Sequence, residues 1–243
     1  MSFVCGMSFS RCRAAHNLHH ARSQEQARDP DMQFDLLLAV YEDDVRRRSR
    51  IGKRRVRYQA RYFWPLTLFF WVSLRADGLR HLAKESRPAR IDRWVLPLHY
   101  VLWLVVPAIV GGPSHAIGNY VATSCLAAIL TASLFAINHL GMPIIGPDTT
   151  VSYLRQQAEL SRNITGGKWA DIAFGGLNFH IEHHLFPRIG HANLRSVQGI
   201  VRPFCREHGI RYHEQSFGQA LRSVVRRLAA VAASGGNHDL HPG

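Results

Sequence analysis

The chain has 243 residues, 47% of them hydrophobic, with 30 Lys and Arg against 17 Asp and Glu. That length allows one large or two small domains, and the net charge of +13 calls for an anionic partner such as nucleic acid, an acidic membrane surface or an acidic carrier. The four cysteines, Cys5, Cys12, Cys125 and Cys205, form no C-x-x-C pair, which excludes a zinc ribbon, a redox dithiol and a disulfide framework. No secretory signal is evident, because Arg11 and Arg13 follow a short apolar run instead of preceding it.

In chain order, the first feature is His16-Asn17-Leu18-His19-His20. Imidazoles at i, i+3 and i+4 share one helix face and converge on a point. Asp29-Pro30-Asp31 closes that segment as a turn. Residues 46–57 are strongly basic and read as a juxtamembrane patch against anionic headgroups, with a solvated loop as the plainer alternative. Residues 62–74, with Trp64 and Trp71, are apolar but short of the roughly 20 residues that cross a bilayer, so they predict an interfacial or re-entrant helix.

Residues 94–112 and 116–140 are nearly uncharged and predict two spans joined at Gly111-Gly112-Pro113-Ser114-His115, a transmembrane hairpin. The alternative is a helical hairpin buried in a soluble core. Both flanks are rich in Arg and Lys and the connection carries neither, so the positive-inside rule puts both flanks in the cytoplasm. The second cluster, His180-Ile181-Glu182-His183-His184, repeats the H-x-x-H-H spacing on the later flank and so falls on the same side. Residues 188–231 alternate apolar and basic positions and read as cytosolic helices, and residues 232–243 as a disordered tail. The expected fold is all-α: an integral membrane hairpin with a cytosolic helical cap that carries the histidine clusters.

Histidine clusters without cysteine suit zinc, copper, iron or nickel. The H-E-x-x-H of zinc proteases is absent, since His213-Glu214 is followed by Phe217 where the second histidine would stand. Six clustered imidazoles exceed what one tetrahedral zinc requires, which points to two ions. The isolated His81, His99, His115, His191, His208, His213, His238 and His241 read as surface or satisfied polar residues. His241-Pro242-Gly243 echoes a haem motif by chance, with no domain around it.

These motifs resemble the membrane fatty acyl desaturases and their hydroxylase relatives. H-N-x-H-H with Asp-Pro-Asp is similar to that family's second histidine box. Ser161-Arg162-Asn163-Ile164 and the run Gly175-Gly176-Leu177-Asn178-Phe179-His180 to Pro187 are similar to its third, and Asn138-His139 to a further Asn/His pair. The resemblance covers about residues 6–211. It implies a partial desaturase domain over residues 1–231 and two non-haem irons that activate O2 to introduce a cis double bond into an acyl chain. The implied ligands are His16, His19, His20, His139, His180, His183 and His184. Asn138 would hold a water near one iron, and Asp29, Asp31 and Glu182 would orient imidazoles. The implied partners are a fatty acyl substrate on CoA, a carrier protein or a lipid, the membrane, and a separate electron donor of ferredoxin or cytochrome b5 type docking on the basic surface. A nucleic-acid partner would leave the hairpin and the histidines without a purpose.

The sequence departs from the family in two places. The H-D-x-x-H of a first box is not found, and Arg11-Cys12 stand where two tryptophans often precede the second box. The chain reads as though it begins inside a longer protein, and by itself it is expected to have little or no activity. Hydroxylation and an inactive membrane-bound remnant are the competing outcomes.

Overall fold

The structure, a computed structural model, describes residues 5–33, 37–84, 90–147 and 149–234. It is mostly helical. In chain order the helices are α1 (Phe9–Arg22), α2 (Glu42–Arg46), α3 (Arg50–Val56), α4 (Gln59–Thr67), α5 (Phe70–Lys84), α6 (Arg90–Tyr100), α7 (Val106–Gly111), α8 (Pro113–His139), α9 (Tyr153–Glu159), α10 (Gly167–Ala173), α11 (His180–Leu185), α12 (Leu194–Glu207) and α13 (Phe217–Ser234). Two three-residue strands, β1 (Asn163–Thr165) and β2 (Glu214–Ser216), pair in parallel with Asn163 opposite Glu214. They are too short to carry a readable alternation, and the sequence reading did not include them. Residues 1–17 and 64–133 form one compact unit, and residues 18–63 and 134–243 form a second.

Ile91–Gly111, in the first unit, and Pro113–His139, which runs from the first unit into the second, are both long and apolar enough to cross a membrane. The second has 27 residues, about 40 Å at 1.5 Å per residue. Gly112 adopts φ +86, a left-handed conformation suited to a helix end, and Pro113 starts the next helix, where its missing N–H costs nothing. Pro107 cannot donate to the Trp103 carbonyl, and the preceding turn, Val101–Val105, widens into a π-helical turn. Ile109, Val110, Ile117, Leu126 and Leu130 all face outward. A hairpin in a soluble core would turn those side chains inward, so the outward apolar surface decides for a membrane-type hairpin. Its polar contacts are internal. The Asp92 carboxylate accepts from the Ser8 and Ser10 hydroxyls and from the Phe9 and Ser10 N–H groups, which caps the start of α1. Arg75 donates to the Cys5 carbonyl and to Ser124 Oγ and lies over the Trp71 and Tyr120 rings. His99 meets the Tyr120 hydroxyl at 3.0 Å, the satisfied polar role expected of it. The stretch expected as one short interfacial helix at 62–74 is divided by a turn at Leu68-Phe69, and its second part extends to Lys84 as α5.

In the second unit the basic run is helical. α2 and α3 bury Val45 and Val56 and leave Arg46, Arg47, Arg50, Arg54, Arg55 and Arg57 exposed. Those valines pack with Ala39 and with Val231 of α13. Gln59 ties this cluster together: it accepts from Ala39 N–H and donates to the Ala39 and Leu228 carbonyls. The second apolar cluster joins Ala158 of α9, Ile181 of α11 and Val201 and Cys205 of α12. The stripes Ala220, Val224, Leu228, Val231 and Leu194, Val201, Cys205 show why residues 188–231 form amphipathic helices. Of the expected tail, residues 232–234 complete α13, and residues 235–243 lie outside the described residues.

Candidate metal centre

Three elements supply the imidazoles. α1 carries His16, His19 and His20, the C-terminal end of α8 carries Asn138 and His139, and α11 carries His180, His183 and His184. On α11 the three histidines share one face while Ile181 enters the apolar cluster, so the helix is held from behind as the rings point forward. His139 is the hub. Its Nε2 lies 3.2 Å from His19 Nε2, 2.7 Å from His180 Nε2 and 3.2 Å from His184 Nε2. His180 and His184 Nε2 are 3.2 Å apart. A separate pair, His20 and His183, brings its Nε2 atoms to 3.2 Å. All six rings are buried. His16 lies one turn before His20 on α1 and is exposed.

The tautomers suit the cluster to a metal. His19 Nδ1 lies 2.9 Å from Asp29 Oδ1, and an ionised carboxylate only accepts, so Nδ1 carries the proton. His184 Nδ1 lies 2.9 Å from Gln157 Oε1, again an acceptor. Both Nε2 atoms therefore present lone pairs to the same point. Lone pairs facing at about 3 Å repel unless a cation lies between them. A metal–nitrogen bond of about 2.1 Å sets neighbouring ligands about 3.0 Å apart, and the observed separations fit that spacing. Burial works against charge on His19, but the Asp29 carboxylate outweighs it and the pKa is raised. Burial, reinforced by His180 and His139, holds His184 well below the usual histidine range, which keeps it neutral and able to donate its lone pair.

The polar residues expected around the rings divide by geometry. Asp29, fully buried, bridges His19 Nδ1 and the Gln24 N–H. Asp31 Oδ2 stays 3.9 Å from His19 Nδ1, and its N–H donates to Asp29 Oδ1, so it steadies the carboxylate and leaves the ring to Asp29. Glu182 accepts from Tyr212 Oη and Asn163 Nδ2, and so fixes α11 as a body. Burial pushes its carboxyl pKa up despite those two donors. Asn138 donates to the Leu177 carbonyl at 3.4 Å, and its buried Oδ1 has no protein partner among the described residues.

Other residues hold the elements in register; Arg162, Asn163 and Gly176 entered the sequence analysis only as part of a motif, and none of these residues was given a role there. Gln24 donates to the His139 carbonyl at 2.7 Å, and the Ile145 N–H donates to the Gln24 carbonyl, which ties the end of α1 to the end of α8. Arg162 donates to the Ile137 and Leu140 carbonyls at the C-terminus of α8 and to Gln215 Oε1. Asn163 Oδ1 accepts the Ile181 N–H at the start of α11. The approach to α11 depends on Gly176, whose φ is +83 and where a Cβ would lie 2.5 Å from the His191 carbonyl oxygen. Gly176→Ala is expected to destabilise the fold by about 1–3 kcal/mol, read as a lowered melting temperature, whereas Gly190→Ala meets open space and leaves it unchanged.

The family model described as fatty acid desaturase matches residues 1–216. An acyl-lipid 8-desaturase of Rebecca salina is 30% identical over 234 residues, covering 94% of this chain and 52% of that protein. Delta(8)-fatty-acid desaturase 1 of Arabidopsis thaliana is 27% identical, with 94% and 54% covered, and a Delta 8-(E)-sphingolipid desaturase of Candida albicans is 25% identical, with 93% and 42% covered. The chain spans about half the length of the curated relatives it matches. No solved structure matches it. On the extent of the family match, the chain belongs to the fatty acid desaturase family.

Proposed function

We propose that this chain is a membrane acyl desaturase whose histidines hold two iron ions. The convergence of the His19 and His184 lone pairs on the His139 ring carries the reading. His19, His139, His180 and His184 would hold one iron, and His20 and His183, with His16 from the same helix face, the other. Bound iron supplies O2 activation and hydrogen abstraction from an unactivated methylene. The protein's part is to aim the imidazoles, to hold His184 neutral and to exclude water by burying six of the rings. Asn138 would hold a water near one iron, a role supported by its buried Oδ1, which has no protein partner among the described residues. The relatives are named for 8-desaturases of acyl lipids, fatty acids and sphingolipids, which supports a lipid-borne acyl chain as substrate. The basic flanks support a cytoplasmic face for the histidines and an acidic electron donor docking there.

The 243 residues hold no H-D-x-x-H, so on their own they are expected to turn over acyl chain weakly or not at all. Metal is therefore the primary test. The purified chain in nanodiscs, given Fe(II) without oxygen, should retain iron that His184→Ala loses; equal retention by both would overturn the reading. In the relatives' longer context, product masses two units below substrate indicate desaturation, and sixteen above indicate hydroxylation.

A further inference from the structure

We propose that Gln157 is a positioning residue that fixes the His184 tautomer, an assignment that rests on the metal reading above. Gln157 lies on α9, is fully buried, and is held in place by the helix and by Ser161 Oγ, which donates to its carbonyl at 2.6 Å. Its amide oxygen receives the Nδ1 proton of His184 at 2.9 Å. The opposite tautomer would aim an N–H at His139 and His180, both 3.2 Å from His184 Nε2, and block the lone pair. The amide nitrogen of Gln157 has no partner among the described residues, so the oxygen's contact with His184 is what this buried side chain contributes.

The partner also sets an asymmetry. His19 is backed by a carboxylate, Asp29, and His184 by an uncharged amide. A carboxylate behind the ring makes the far nitrogen a stronger donor than an amide does, so two ligands of one centre are tuned differently. A neutral acceptor at position 157 gives the tautomer without adding a second buried negative charge.

The test uses the full chain in nanodiscs, titrated with Co(II), whose visible absorption reports its ligands. Gln157→Leu removes the acceptor at similar volume and is expected to weaken Co(II) binding about 10–100-fold. Gln157→Glu keeps an acceptor and is expected to bind at near wild-type affinity with a shifted absorption band. A Gln157→Leu protein that binds like wild type overturns the assignment. If that variant does not fold, as its metal-free melting would show, Gln157→Glu decides alone: a band superposable on wild type overturns it. Failure of the metal reading is seen separately, as no saturable Co(II) binding by wild type or no loss on His184→Ala.

Discussion

Replacing His139 with alanine is expected to abolish metal binding at the four-histidine cluster. Its Nε2 is within 3.2 Å of three other ring nitrogens, and each of those rings comes from a different turn or helix. Removing it leaves His19, His180 and His184 without the one ring whose Nε2 lies within 3.2 Å of a nitrogen of each. Loss of an outer hydrogen-bond partner already costs a metal site about 10–100-fold, so loss of the hub should exceed about 100-fold in affinity. The measurement is metal bound per chain after equilibrium dialysis. His208→Ala, on an exposed histidine away from the cluster, should bind as wild type does. A His139→Ala chain that retains full metal would show that the rings converge for a packing reason. The stability of the metal-free fold should change little, because His139 is held through its backbone carbonyl by Gln24, and alanine keeps that carbonyl.

Arg162→Leu is expected to produce the largest loss of stability. The guanidinium is buried and satisfies two carbonyls at the end of α8 and one side-chain amide of β2. Burial pulls its pKa down to about 10, so it stays protonated at neutral pH. A cation at a helix C-terminus also opposes the partial negative charge there. Leucine would leave two buried carbonyls without donors, at about 1–3 kcal/mol each. Denaturant or thermal unfolding in detergent should show the loss. Arg162→Lys should recover only part of it, because an ammonium cannot fork between two carbonyls as a guanidinium does. Since the carbonyls belong to the turn that presents His139, metal affinity should fall with stability. A leucine variant as stable as wild type would mean that the end of α8 finds other donors.

Some of this was written locally in the chain. The i, i+3, i+4 spacing of His16, His19, His20 and of His180, His183, His184 needs only helical geometry to place each set on one face, so both clusters were legible without a structure. The apolar hairpin was equally legible, because crossing a bilayer is a matter of length and uncharged composition; the structure moved its edges from 94–112 to 91–111 and from 116–140 to 113–139. The Asp29 role came from the family resemblance, whereas its place in a turn gave only the end of the segment. What the sequence could not state was which rings meet. That His19 joins His139 and His184 while His20 joins His183 depends on contacts spanning 120 to 165 residues, and no local periodicity encodes them. The same holds for Gln24, Gln157, Arg162 and Asn163. Each is a polar residue whose importance comes from being buried against one specific partner, and burial is a property of the assembled fold. Glu182 shows the converse: between two ligands in the sequence it reads as a ring partner, yet helical geometry turns it toward Tyr212 and Asn163. The chain by itself fixed the donor atoms and the helices that carry them, because those are short-range consequences of spacing and hydropathy. Only the tertiary structure chose their partners and tautomers, because hydrogen bonds in a dry interior are decided by what packs beside them.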